Sequence, residues 1–479
     1  MSQINENVIR DVVTEVMKQL NTGTVTVPAS LERGGRHGVF DTMPDACRAA
    51  RAAFEQLRTQ GYGARAKAVE VVKTLCFDRA AEWGKLEFEE TKIGRLDHKV
   101  AKLQGIKGVL GVESLAPLGM TGDHGITMEE MAPFGVVGAV TPVTHSVPTI
   151  AGNIVNMVAA GNAVVVNAHP GGATCAATAI REFNKAILAE TGIDNLICCV
   201  EKPTLESFQA MCAAEEIALL CITGGPAVVD AAMKTGKRAI CAGPGNPPVV
   251  VDDCHALDFD KVAKDIIFGA AFDNNLLCIG EKQVFVVSKV YDEFMAAMRR
   301  QGAALLRAQQ ADKIRSEVFT FKPGDGGCSH PVLNRAFVGA SPQKLAKVAG
   351  AQVAPSCELL MTETAADDLF VVEEQMMPVL PLVRVPNLDT AIIEAKKSEH
   401  NYRHSAMIHT MNVAHMTRMG REMDTTIFVK NGPCTAGLGL GGEGYISFSV
   451  ATTTGEGITT PKTFTRFRRC ALVDQLNIV

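Results

Sequence analysis

IALLCITGGPAVVDAAMKTG, residues 217–236, runs from an apolar stretch through Thr223-Gly224-Gly225 straight into a helical pattern with Pro226 at its first turn. A continuous apolar run of this length, closed by glycines, reads as a strand buried on both faces. The free N–H groups of the following helix suit a pyrophosphate, although a glycine turn that only packs helix on sheet has the same sequence. Working outward, GVVGAVTP (135–142), AVVVNA (163–168), ICCV (197–200) and RAICA (238–242) repeat the strand pattern with helical stretches between them. This alternation predicts a parallel sheet covered by helices. A second series follows, with PVVVDD (248–253), a helix over 258–271, QVFVV (283–287) and a helix over 290–308. A domain boundary is therefore expected near 243, with AGPGNPP as the hinge.

The chain of 479 residues is long enough for two to three domains. Its formal net charge is -5 and it has no basic run, which argues against nucleic acid or a membrane surface as partner. No apolar run reaches the ~20 residues of a membrane helix, and the N-terminus lacks the order of a signal peptide. The fourteen cysteines form no C-x-x-C pair, so neither a zinc site nor a disulfide framework is expected, and a reducing interior fits best. Residues 3–20 place Ile4, Val8, Val12, Val16 and Leu20 on one stripe of an amphipathic helix, followed by a Thr/Gly/Pro-rich linker. Such a helix either folds back on its own domain or docks on a partner.

GLGLGGEG (437–444) has a dinucleotide-like glycine spacing, but YISFSVATTT after it reads as strand where a fingerprint needs a helix. FDNNLLCIGEK (272–282) is more informative. Cys278 follows a polar break and precedes a glycine, and a thiol there is either a nucleophile for thioester chemistry or one more buried cysteine.

At these residues the chain resembles the CoA-acylating aldehyde dehydrogenases, particularly those of ethanolamine- and propanediol-utilisation microcompartments. FDNN-x-x-C is joined in order by APFGVVGAVTP (132–142), AAGNAVVV (159–166), AHPGG (168–172), ITGG (222–225), AGPGNPPVVVDD (242–253), EQMMPVLP (374–381), FVKNGPC (428–434) and TGEGITTPKTFTRFRRC (454–470). The resemblance covers about 38 to 479. It implies an α/β aldehyde dehydrogenase-like fold: an NAD-binding domain (38–115 and 132–242), a catalytic domain (243–447) and an oligomerisation arm (116–131 and 448–479) giving a homodimer or homotetramer. Residues 1–20 would be an encapsulation helix for a microcompartment shell protein, and 21–37 its flexible linker.

The resemblance also implies roles. Cys278 attacks a short-chain aldehyde, propionaldehyde or acetaldehyde; hydride passes to NAD; coenzyme A then takes the acyl group as a co-substrate. Thr144, His145 and Asn275 join Cys278 as candidate catalytic residues, with His145 standing where an asparagine is usual. That imidazole donates to the oxyanion, assists CoA as a base, or is merely packed. His169, Pro170, Thr223, Gly224, Gly225 and Glu374 match cofactor-binding positions, and NAD is expected rather than NADP. Asn167 stands where the hydrolytic branch has lysine, and ICAGPGNPP (240–248) lacks that branch's general-base glutamate. The product expected is acyl-CoA; the rivals are an enzyme releasing free acid and an inactive microcompartment cargo protein. His400 and His404 have metal-ligand spacing on a helix, but with no third ligand no metal is expected.

Overall fold

The structure, a computed structural model, describes residues 36–254, 256–323, 329–476 and 478. The expected amphipathic helix and nearly all of the linker lie outside the described residues. Residues 37–479 form one unit built around two parallel sheets.

The first sheet orders its strands as Val39–Phe40, Ile197–Val200, Ala163–Ala168, Val136–Thr141, Ile217–Thr223 and Ala239–Ala242, all parallel. Every residue of AVVVNA is buried, as a strand covered by helices on both faces requires. Ser146–Ala159 is a helix with every residue buried, so its all-round apolar sequence packs inside the layer. Strand order reverses at Val136–Thr141, whose neighbours Ala163–Ala168 and Ile217–Thr223 lead away in opposite directions. Ligands of open α/β sheets bind beyond the carboxyl ends of the strands at such a point.

The second sheet has seven parallel strands in the order Ala304–Leu305, Leu360–Thr364, Val379–Val385, Gln283–Val287, Pro248–Val251, Ser405–His409 and Ile427–Lys430. The chain passes from one sheet to the other over 243–247. A three-stranded antiparallel sheet, Leu118–Gly122, Gly125–Pro133 and Thr465–Val473, projects Leu118, Met120, Phe467 and Val473 into solvent.

Four expectations need correction. The helix expected over 290–308 is Tyr291–Arg300, stopped by Gly302 at φ 98, and a second helix occupies Ala308–Val318. YISFSVATTT contributes only the short strand Val450–Ala451, because Tyr445–Ser449 is irregular and its Ile446, Ser447 and Phe448 line a cavity. The expected arm began at 448, yet Phe464 is fully buried and Phe448 packs with it against the core of the first sheet. His400 and His404 share no helix: Leu388–Ser398 ends before them, His400 has φ 57, and His404 immediately precedes a strand.

Candidate active site

The helix Phe259–Ala271 breaks at a turn, Phe272–Asn275, in which Asp273, Asn274 and Asn275 have φ of 50, 55 and 65. This left-handed conformation costs roughly 1–2 kcal/mol per ordinary residue and is best tolerated by Asn and Asp. Tertiary hydrogen bonds hold it. The Asp273 N–H donates to His98 Nδ1 at 2.7 Å, and its Oδ1 accepts the Arg95 N–H at 2.7 Å. Arg95 caps the helix Leu96–Gln104 without a side-chain cap of its own, so the Asp273 carboxylate serves as cap at the positive end of that helix. Asp273 also forms a buried ion pair with Lys102. The Asn274 amide donates to the carbonyls of Gly94 (3.1 Å) and Gly339 (2.8 Å).

Asn275 uses its whole side chain in this loop. Its amide donates to the carbonyls of Ala270 (2.8 Å) and Glu281 (2.9 Å), and its Oδ1 accepts from Lys282 Nζ at 2.7 Å. With all these groups committed, Asn275 holds the loop that carries Cys278 and has no amide hydrogen left for a substrate oxygen.

Cys278 is half-buried at a cavity of about 280 Å3 whose wall includes Phe268, Phe272, Leu277, Leu438, Ile446 and Phe448. His145 and Lys102 also line it, and among the described residues no carboxylate does. Burial, seconded by the charge of Glu374, pushes the Cys278 thiol up to about 12, while Lys282 pulls in the opposite direction. Lys282 Nζ lies 4.0 Å from Glu374 Oε1. Burial holds that amine below the usual lysine range and lifts the Glu374 carboxyl. The site therefore stores Cys278 as a thiol, beside an ion pair able to shift it.

His145 opens the helix Ser146–Ala159, with Nε2 3.3 Å from Thr144 Oγ1 and a buried Nδ1 that has no partner among the described residues. Burial first, then Lys102 and Lys99, drive its pKa well below the ordinary imidazole value. The ring lines the cavity at which Cys278 lies. The Thr144 carbonyl faces the ammonium groups of Lys99 (3.4 Å) and Lys102 (3.5 Å).

His404, which the sequence singled out only for its spacing from His400, lies beside the Cys278 peptide. Its ring is buried, with Nδ1 2.9 Å from Ser405 Oγ and Nε2 without a partner among the described residues. A Cβ placed on Gly245 would lie 2.8 Å from both the Cys278 carbonyl oxygen and His404 Cγ, so the three meet with no room for a side chain. Burial lowers the His404 pKa to about 4. His400 turns elsewhere, its Nε2 2.6 Å from the Val372 carbonyl oxygen. Among the described residues no group of three or more His, Cys, Asp or Glu is arranged to hold a metal ion.

The remaining candidates occupy the carboxyl edge of the first sheet. His169 and Pro170 follow Ala163–Ala168 in exposed positions, with the His169 Nδ1 accepting the Gly171 N–H at 3.0 Å. Asn167 is buried and accepts the Ser207 hydroxyl at 2.6 Å. Thr223 Oγ1 lies 3.1 Å from Ser449 Oγ, and the Gly224 N–H donates to the Ala242 carbonyl at 3.3 Å. Gly225 caps the helix Pro226–Met233 without a side-chain bond, and a Cβ on it would meet nothing within 4 Å. An uncapped helix start with open space, at the strand-order reversal, fits a dinucleotide pyrophosphate. Glu374 lies on the segment leading into Val379–Val385.

Residues 15–317 match the model of the aldehyde dehydrogenase family, and the chain belongs to that family. It is 41% identical over 480 residues to acetylating acetaldehyde dehydrogenase EutE of Salmonella typhimurium, covering 99% of this chain and 100% of that one. The structure of propionaldehyde dehydrogenase from Rhodopseudomonas palustris, with bound CoA and an acylated cysteine, superposes with a TM-score of 0.88 at 39% identity, covering 92% and 100% of the two chains. A propionaldehyde dehydrogenase from the fucose utilisation microcompartment of Clostridium phytofermentans gives a TM-score of 0.87 at 38% identity, with the same coverage.

Proposed function

We propose that this chain is a CoA-acylating aldehyde dehydrogenase that converts a short-chain aldehyde, CoA and NAD to acyl-CoA and NADH. The observation that carries this reading is a half-buried Cys278 thiol at an apolar cavity with no carboxylate among the described residues of its wall. With no carboxylate among the described wall residues to activate water, the acyl thioester persists until a thiol arrives that can attack with less help. The similarity to enzymes named for acetaldehyde and propionaldehyde supports a two- or three-carbon substrate.

In this reading Cys278, as thiolate, adds to the aldehyde carbon, and the oxyanion is stabilised by the Cys278 N–H and the His145 ring. NAD, when bound, accepts the hydride. Gly225 and the start of the helix Pro226–Met233 would hold its pyrophosphate, Thr223 and Gly224 the approach to it, His169 and Pro170 the adenosine half, and Glu374 the nicotinamide ribose. The CoA thiol, its proton passing to water, then displaces Cys278 from the acyl carbon, and Cys278 leaves as thiolate. Asn275 and Lys282 keep the nucleophile loop in place throughout.

The test is NADH formation from propionaldehyde with and without CoA, in wild type and Cys278→Ala, with the product identified by mass. Acyl-CoA that requires both CoA and Cys278 is expected. Free acid formed at a rate indifferent to CoA, or turnover surviving in Cys278→Ala, overturns the proposal.

Residues 1–20 are proposed to bind a microcompartment shell protein, and the projecting antiparallel sheet to join subunits of a homodimer or homotetramer. The amphipathic stripe and the exposed apolar side chains of that sheet support these assignments. Deleting 1–20 should leave turnover intact and abolish co-purification with shells; loss of turnover would assign the segment to the enzyme's own fold.

A further inference from the structure

The nucleophile turn rests on a histidine that is remote from Cys278 in sequence. His98, on the helix Leu96–Gln104, contacts the turn in two independent ways. Its Nδ1 accepts the N–H of Asp273 at 2.7 Å, the first of the three left-handed residues. Its ring stacks flat on Phe272, with centroids 4.2 Å apart and planes inclined by 1°. Phe272 is both the residue before the strained stretch and part of the cavity wall beside Cys278.

We propose that His98 is a positioning residue of this enzyme, its Nδ1 lone pair fixing the backbone that carries Cys278 and its ring face fixing the Phe272 wall of the aldehyde cavity. The proposal rests on the acylating function above, because it assigns the two contacts to catalytic rate and to aldehyde binding respectively. A hydrogen bond from a backbone N–H demands an unprotonated Nδ1, so the acceptor role belongs to the neutral ring alone.

The surroundings favour that form. Burial lowers the His98 pKa, with Arg95 acting in the same direction, while Asp97, Asp273 and Glu358 oppose them. Asp97 Oδ2 is 3.9 Å from His98 Nε2, and Asp273 is itself paired with Lys102. Protonation would turn an acceptor into a donor facing a donor and release the strained turn.

Two substitutions separate the contacts. His98→Phe keeps a ring against Phe272 and removes the acceptor; His98→Gln keeps a carbonyl acceptor and removes the ring. His98→Phe is expected to lower kcat by about 10- to 100-fold with aldehyde KM within about threefold of wild type. His98→Gln is expected to hold kcat within about threefold while aldehyde KM rises by about 3- to 10-fold. The ratio of wild-type to His98→Gln kcat should fall as pH drops below the ordinary imidazole value, because Gln cannot be protonated there. The reverse split, equal losses in both variants, or a pH-independent ratio would overturn the proposal.

Alkylation of Cys278 by iodoacetamide, followed by the mass of its peptide, provides a readout that does not depend on turnover. A loosened turn admits water, so alkylation in His98→Phe should be at least about threefold faster than in wild type and near wild type in His98→Gln. Unchanged alkylation in both variants overturns the positioning role. A wild type that lacks CoA-dependent turnover overturns the function while leaving this arm readable.

Discussion

Gly245→Ala is a one-carbon perturbation aimed at the nucleophile's own peptide. The added Cβ would lie 2.8 Å from the Cys278 carbonyl oxygen, 2.8 Å from His404 Cγ and 3.0 Å from His404 Cδ2. Comfortable heavy-atom contacts begin near ~3.5 Å, so about 0.7 Å must be opened on each side. A backbone carbonyl lies on one side and a buried ring on the other, and neither can swing away as a surface side chain would. Overpacking of this kind costs about 1–3 kcal/mol of stability. The larger effect is on rate, since displacing a reacting group by up to ~1 Å can cost ~100-fold. The expected result is a soluble, dinucleotide-binding protein whose kcat for NADH formation with propionaldehyde and CoA is about 10- to 100-fold lower. Gly225→Ala is the matched comparison: its φ is -66 and its Cβ meets nothing within 4 Å, so only affinity for NAD should change. A Gly245→Ala enzyme within about twofold of wild-type kcat would refute the argument that this glycine holds space for the Cys278 peptide.

His145→Leu should lower kcat by about 100- to 1000-fold while His145→Asn, which keeps an N–H, retains most of it; equal rates in both would make the ring mere packing. Lys282→Met removes the cation that opposes the rise of the Cys278 pKa, so iodoacetamide alkylation at a fixed neutral pH should slow. The same change leaves the Asn275 and Leu277 acceptors unpaired and should cost about 3–5 kcal/mol in urea unfolding. Glu281 is fully buried and its carboxyl is raised from 4.5 to about 7, so between these values the folded state binds more protons than the unfolded state. Stability contributed by this group is full below pH 4.5 and is lost as pH rises to about 7, a change of about 3 kcal/mol that Glu281→Gln should abolish. Parallel stability-versus-pH curves for the two proteins would contradict that assignment.

The strands were legible because their burial is written locally. AVVVNA, PVVV and QVFVV are apolar on both faces, and no neighbouring residue needed to be known to place them in covered parallel sheets. Cys278 could be singled out from its flanking residues, but only the resemblance favoured a nucleophile over a buried thiol. His98 and Lys102 were out of reach for a different reason. The Asp273–His98 bond spans 175 residues, and no periodicity reports a partner at that distance. Asn275 shows the converse: its position in FDNN-x-x-C suggested chemistry, whereas its hydrogen bonds commit it to loop geometry.

Much of the cavity wall comes from residues 435–450, which include Leu438, Leu440, Ile446 and Phe448. Of this stretch, only Val450 belongs to a strand, and Ile446 makes one isolated bridge. The two parallel sheets therefore draw almost none of their hydrogen bonding from the segment that shapes the space for the acyl chain. Substrate range can thus drift, in evolution or in the laboratory, by exchanging Leu438 and Leu440, which stand outside the hydrogen bonding of both sheets, while Ile446 and Val450 are held by the cores they belong to.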